Sequence, residues 1–203
     1  MTYLLAGQAF ELERLRLQAR VFEPAGERLL AGIARTPGGA RALDVGCGAM
    51  GWLRILDAWV GEQGTVVGSD IDDKMLDAAR AFVDENKLSH VVLSKDDLFA
   101  SALPASSFDL VHARFQIAPL GRGPEQVRAF VRLTKPGGLI VLEEPDTRSW
   151  HVSPRAPAVD ELIALILRAF RVGGGDFDAG RALPNLLADA GLTAEVYEQV
   201  VTL

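Results

Sequence analysis

A chain of 203 residues with 49% apolar and 24% charged residues has the size and composition of one globular domain with its own core. Its formal charge of −6 argues against nucleic acid as a partner, because phosphate binding requires a basic face. The one cysteine, Cys47, excludes an intramolecular disulfide and suits a reducing cytoplasm. The N-terminal stretch meets Glu11 and Glu13 before an apolar core can form, so it lacks the basic start and sustained apolar stretch expected of a signal peptide. The longest apolar run, Leu162–Leu167, is far too short to span a bilayer. These features predict a cytoplasmic protein with no membrane partner.

The chain opens with apolar residues at helical spacing: Leu12, Leu15, Ala19 and Phe22. Pro24 suits the first turn of a second helix carrying Leu29, Leu30 and Ile33, and Thr36-Pro37-Gly38-Gly39 closes the segment. Residues 1–39 are therefore expected to form an arm of two helices ahead of a main domain over residues 40–203.

From Arg41 the pattern alternates. Arg41–Val45 is a short apolar run ending in glycines, which reads as a buried strand. Trp52, Ile55, Leu56 and Trp59 form a helical stripe, and Gly64–Gly68 a second strand. Met75, Leu76, Ala79, Phe82 and Val83 form another stripe, with Asp72 and Asp73 at its positive end. His90–Leu93 and Phe108–Ala113 read as the third and fourth strands. Pro124 starts a helix, Lys135-Pro136-Gly137-Gly138 reads as a turn, and Leu139–Leu142 as the fifth strand. Strands alternating with helices predict an α/β fold with a doubly wound, mostly parallel sheet. Beyond it, Asp160–Phe170 and Arg181–Ala190 are expected to be helices and Glu195–Thr202 a final strand.

The first strand leads into Gly46, Gly48 and Gly51, a GxGxxG fingerprint between a strand and a helix. Glycine is needed where the backbone turns tightly and a ligand must approach without a Cβ in the way. Nucleotide-binding dehydrogenases share the pattern, so three acids matter more. Asp44, two residues before the first glycine, would repel a pyrophosphate and favour a cationic ligand. Asp70 ends the second strand, where a carboxylate can accept hydrogen bonds from a ribose diol. Asp96 and Asp97 follow the third strand, either at an adenine amino group or in a solvated turn.

Four segments in order, LDVGCGAMG, VVGSDIDDKMLDAAR, KDDLFASALPASSFDLVHARF and LTKPGGLIVLEEPD, resemble class I S-adenosylmethionine (SAM)-dependent methyltransferases. The likeness covers Tyr3 to Gly191 and is closest to the small-molecule branch of ubiquinone and menaquinone biosynthesis and natural-product tailoring enzymes. The resemblance implies SAM as cofactor, with Gly46 and Gly48 beside its methionine and ribose portions and Asp44 near its amino group. It implies Asp70 on the ribose hydroxyls, Ile71 against the adenine, Asp97 with Leu98 at the adenine edge, and Arg114 near the methionine end. Asp97 is preferred to Asp96 because its distance to Ser107-Phe108-Asp109 fits the family. Such enzymes end in an antiparallel strand pair, of which this sequence holds only the first, so that pair is expected to be incomplete.

The expected chemistry is methyl transfer to oxygen, nitrogen or carbon of a small, partly apolar acceptor. Positioning supplies much of the acceleration, and a base is needed only if the acceptor must lose a proton. His112, at the end of strand four, and His151, after strand five, are the candidate bases, although a structural role is the commoner one for such histidines. His90, at the opposite strand end, is structural. Glu143, Glu144 and Asp146 could hold a divalent cation, but helix capping is the stronger reading, so no metal is expected. No histidine or cysteine pair has zinc spacing. Cys47 reads as a small buried residue. The apolar 160–170 helix and Tyr3-Leu4-Leu5 serve as core, as a homodimer contact or as a cover for the acceptor. Two other functions share parts of the pattern. A nicotinamide-dependent oxidoreductase would use GxGxxG and Asp70 but lacks a Tyr-x-x-x-Lys pair, and a SAM-binding protein without turnover would need no base.

Overall fold

A computed structural model describes residues 10–33 and 39–200. Tyr3-Leu4-Leu5, Thr36–Gly38 and the end of the final strand expected over Glu195–Thr202 lie outside those residues. Five strands, β1 (Arg41–Val45), β2 (Thr65–Asp70), β3 (Val91–Lys95), β4 (Phe108–Arg114) and β5 (Thr134–Glu143), form one sheet in the order β3-β2-β1-β4-β5. The pairings β1 with β2, β1 with β4 and β2 with β3 are parallel. The helices are α1 (Glu11–Ala31), α2 (Leu53–Val60), α3 (Asp73–Asn86), α4 (Ile117–Leu120), α5 (Gly123–Leu133), α6 (Pro157–Val172) and α7 (Ala179–Asp189). The doubly wound fold expected from the alternating pattern is therefore present. Chain order reverses at β1, which lies between β2 and β4, and open sheets bind ligands beyond the strand ends at such a point.

The described residues fall into two compact units. The larger, residues 10–33, 39–114, 129–142 and 197–200, contains α1 to α3, β1 to β4 and nearly all of β5. Its core joins Leu43-flanking residues of β1 to α2: Ala42, Trp52, Leu53, Leu56, Val60, Val66 and Leu110 are all buried. Strands buried on both faces need apolar residues at consecutive positions, which is why β1 reads as a run and not an alternation. The smaller unit, residues 115–128 and 143–196, contains α4, the start of α5, α6 and α7. Within it α6 keeps Leu162, Leu165 and Val172 exposed while Phe170 is buried against Phe177, with ring centroids 4.1 Å apart.

Three expectations are corrected. The N-terminal pair of helices is one continuous helix, α1, with Pro24 inside it. An interior proline removes a hydrogen bond and crowds the preceding turn at a cost of about 3 kcal/mol, so tertiary contacts must hold the helix together. Arg54 of α2 supplies one: its guanidinium bridges Glu23 and Glu27, on either side of Pro24, at 2.7 Å each. Close packing supplies another, since a Cβ on Gly26 would come within 2.8 Å of the Trp52 ring.

Lys135-Pro136-Gly137-Gly138 is not a separate turn but lies within β5. Gly137 takes a φ of 78°, bending the strand locally, and a Cβ on Gly138 would sit 3.0 Å from the Asp109 carbonyl. Lastly, the described part of the expected final strand, Glu195–Val200, forms no strand. Val196, Tyr197 and Val200 stay exposed. Alternation marks a face that a strand would have, but a strand exists only where a neighbouring backbone completes its ladder.

Among the described residues no helix is long and apolar enough to cross a membrane.

Candidate cofactor site

The parallel strands of the larger unit carry the fingerprint residues to one edge of the sheet. Directly after β1, Gly46, Gly48 and Gly51 adopt φ values of 62°, 55° and 41°, a region costly for any residue with a Cβ. The loop is tied to the end of β2 by two hydrogen bonds: Cys47 N–H donates to the Ser69 carbonyl at 2.9 Å, and Gly48 N–H to Asp70 Oδ2 at 2.9 Å. Among the described residues, a Cβ on Gly48 would meet nothing nearer than Leu15 Cδ1 at 3.9 Å, so they leave the loop surface there open. Gly51 is different: a Cβ there would fall on Asp44 Oδ2.

That contact shows where the Asp44 carboxylate goes. It points into the protein, 1% exposed, and not onto the open surface of the loop. Oδ2 accepts the Trp52 N–H at 2.7 Å, and Oδ1 lies 2.7 Å from His112 Nδ1. The β1–β4 register explains the second contact, because Asp44 and His112 are direct neighbours across the two strands. The His112 ring also stacks on Trp52, with centroids 3.8 Å apart and planes 12° from parallel. In this arrangement the Asp44 carboxylate, expected near a cofactor ammonium group, is engaged by internal partners. His112, expected as a candidate base, is likewise turned inward, with its side chain 0% exposed. Trp52 is the residue that sequence analysis passed over. Its place in the α2 stripe marks it as core, which it is, and only its position one residue after GxGxxG hints at a second role.

Asp70 stands where it was expected, at the end of β2. Its Oδ1 accepts the Asp72 N–H at 2.9 Å while Oδ2 holds the glycine loop, and burial raises its pKa despite those bonds. Ile71 follows it with its side chain 62% exposed, an uncommon position for isoleucine unless something apolar covers it. Asp97 is exposed and caps the 3-10 turn Leu98–Ala100 through Oδ1 to Phe99 N–H at 3.0 Å, and Leu98 is buried. Asp96 instead braces the backbone: its N–H donates to the Asp70 carbonyl and its Oδ1 accepts the Ala102 N–H. Arg114, half-buried, ends β4 at the same edge. Cys47 is buried between these acids, and burial with the nearby Asp44 and Asp70 charges holds its thiol pKa well above the ordinary value. His90 pairs with Asp57 Oδ1 at 3.3 Å, before β3 and away from this edge.

In the smaller unit two of the three acids, Glu144 and Asp146, are caps. Glu144 accepts N–H bonds from Gln116 and Ile117 on Oε1 and from Ala118 on Oε2, closing the start of α4. Burial pushes its pKa up to about 7 against the lowering effect of those three bonds. Asp146 caps the turn Thr147–Ser149 and is held by Arg181 at 2.7 Å on both oxygens. His151 is exposed, with Nδ1 3.2 Å from the Ser149 carbonyl. Among the described residues, no group of three or more His, Cys, Asp or Glu side chains stands together as a metal-ligand set.

Residues 42–138 match a family described as a methyltransferase domain. The chain is 37% identical over 148 residues to a nocamycin O-methyltransferase of Saccharothrix syringae, a match covering 70% of this chain and 52% of that protein. It is 34% identical over 106 residues to a demethylmenaquinone methyltransferase of Shouchella clausii, covering 52% of this chain and 45% of that protein. The chain thus spans about half the length of the curated relatives it matches. In fold it is similar to a SAM-dependent methyltransferase of Aquifex aeolicus, with a TM-score of 0.64, 22% identity, and coverage of 89% of this chain and 86% of that one. Sequence and fold agree: residues 42–138 match a methyltransferase domain, and the sheet and helices have the fold of SAM-dependent methyltransferases.

Proposed function

We propose that this protein transfers a methyl group from SAM to an oxygen, nitrogen or carbon of a small, partly apolar acceptor. The observation that carries the reading is the joint made by Gly48 N–H and Asp70 Oδ2, which fixes a Cβ-free loop beside a carboxylate at the end of β2. The residues fit the group. Among the described residues the surface at Gly48 is open, Asp70 retains lone pairs for a ribose diol, exposed Ile71 offers an apolar face for adenine, and exposed Asp97 has a second carboxylate oxygen to accept from its amino group. Gly46 lies at the methionine and ribose side of the same loop, Leu98 supports Asp97, and Arg114 is assigned to the methionine end. Asp44 acts one step back, by shaping the loop.

SAM, when bound, supplies a methyl carbon activated by its sulfonium sulfur. The chain's part is to orient the reactants and exclude water, and effective molarities of about 10⁵ M or more are available from orientation alone. With His112 buried, exposed His151 is the remaining histidine proposed as a base, for acceptors that must lose a proton. A small, partly apolar acceptor is supported by the likeness to a nocamycin O-methyltransferase and a demethylmenaquinone methyltransferase. Buried Cys47, a single thiol, goes with a cytoplasmic location. Nothing found for the chain supports a nicotinamide-dependent oxidoreductase.

Calorimetry with SAM tests the reading: saturable binding is expected, and no measurable heat or competition at millimolar ligand would sink it. Within it, Asp70→Ala is expected to weaken SAM by about a hundredfold, the loss of charge-assisted hydrogen bonds. Asp96→Ala should cost only a fewfold, because Asp96 braces backbone. Equal losses would mean that the ribose contact is misassigned.

A further inference from the structure

The Asp44–His112–Trp52 cluster has no exposed surface, and methyl transfer does not use it directly. It nevertheless controls the shape of the proposed cofactor loop. Asp44 sits on β1, its carboxylate fills the space that a Gly51 side chain would take, and its Oδ2 receives the first amide after the loop, that of Trp52. The opposite oxygen faces His112 Nδ1 at 2.7 Å. An ionised carboxylate only accepts, so the ring must carry its proton on Nδ1 and donate it. The stack on Trp52 fixes the plane of the ring, so the donor can point in one direction only. We propose that His112 is a positioning residue for cofactor binding: by donating Nδ1–H to Asp44 it locks the carboxylate that sets the Gly46–Gly51 loop in its binding shape.

The physical basis is the cost of freedom in a buried acid. A carboxylate 2% exposed has no water to satisfy a second oxygen, so removing the imidazole donor would leave it to rotate toward another donor. That rotation releases the Trp52 amide, and Gly46, Gly48 and Gly51, all at positive φ, lose the anchor that keeps them there. No part of this chain of contacts touches the reacting atoms, so the effect falls on cofactor affinity and not on chemistry.

The inference rests on the SAM reading for its functional consequence but has a readout of its own. His112→Asn places an amide donor near the position of Nδ1, whereas His112→Gln carries its donor beyond it. Calorimetry is expected to show His112→Asn close to the parent and His112→Gln weaker for SAM by about tenfold, the worth of one hydrogen bond to a charged group. Amide exchange at Trp52 and Gly48 should quicken in His112→Gln and not in His112→Asn, whether or not SAM binds. In the parent, with nitrogen-15 in its three histidines, the ring whose signals vanish in the variants, His112, is expected to hold its proton on Nδ1. Equal affinity and exchange in the two variants would overturn the proposal. If a variant does not fold, an unprotonated His112 Nδ1 in the parent overturns it, and a protonated one whose signal responds to SAM supports it. A parent that binds no SAM would remove the proposed function, while amide exchange would still decide the role of His112.

Discussion

Gly51 and Asp44 occupy a single space: where a side chain at residue 51 would begin, Asp44 Oδ2 already sits, accepting the N–H of Trp52 at 2.7 Å. The third glycine of the fingerprint is therefore required by an acid seven residues earlier, and not by a ligand above it. Gly48 differs: among the described residues only Leu15 Cδ1, at 3.9 Å, would meet a Cβ there, and its amide is held by Asp70.

Gly51→Ala is accordingly expected to disturb the loop from beneath. The methyl group would displace the Asp44 carboxylate, and the φ of 41° adds strain of about 1–3 kcal/mol. Thermal melting should show the loss of stability, and calorimetry should show SAM affinity falling with it. A variant with parental melting temperature and parental affinity would mean that the loop has room which this geometry denies.

Glu144 predicts a pH dependence. Its folded pKa, about 7, is above the ordinary value of a free glutamate because burial disfavours the charge. A raised folded pKa means that the folded state binds the proton more tightly than the unfolded chain. Its stabilisation is complete below the unfolded pKa and is lost as pH rises through the folded one. The fold should therefore lose roughly 1–3 kcal/mol between about pH 4.5 and pH 7.5 from this group. Urea midpoints across that window test it. Glu144→Gln, which has no charge to bury, should flatten the slope; an unchanged slope would assign the dependence elsewhere.

Pro24 separates one helix from two. In a continuous α1, Pro24→Ala restores a missing amide at an exposed position and should stabilise the protein by about 1–2 kcal/mol, after allowance for the extra freedom of the unfolded chain. Denaturant unfolding measures it. Destabilisation would show that a break at Pro24 is part of the native helix.

Much of the fold was legible because β1 to β4 each carry a short run of apolar residues between helical stripes. Arg41–Val45, Phe108–Arg114 and the stripe of α3 are local signals that packing only had to accept. Pro24 misled because proline is a strong local signal for a helix start. The Arg54 bridges to Glu23 and Glu27 that keep the helix unbroken come from an element more than twenty residues away. The same holds for Glu195–Val200, where alternation was visible but the pairing partner of a strand was not.

The amino-acid sequence by itself determined the order of strands and helices, the fingerprint at Gly46, Gly48 and Gly51, and the acids that follow β2 and β3. All of these depend on spacing along the chain. Only the tertiary structure decided which way each acid faces. Asp44 and Asp70 look alike in the sequence, one carboxylate near the end of each of two strands. The parallel register sets Asp44 against His112 and turns it inward, and leaves Asp70 bonded to the loop at the open edge. The direction of a side chain is a property of its neighbours in the sheet, and those neighbours, 68 and 22 residues away in the two cases, are brought together only by folding.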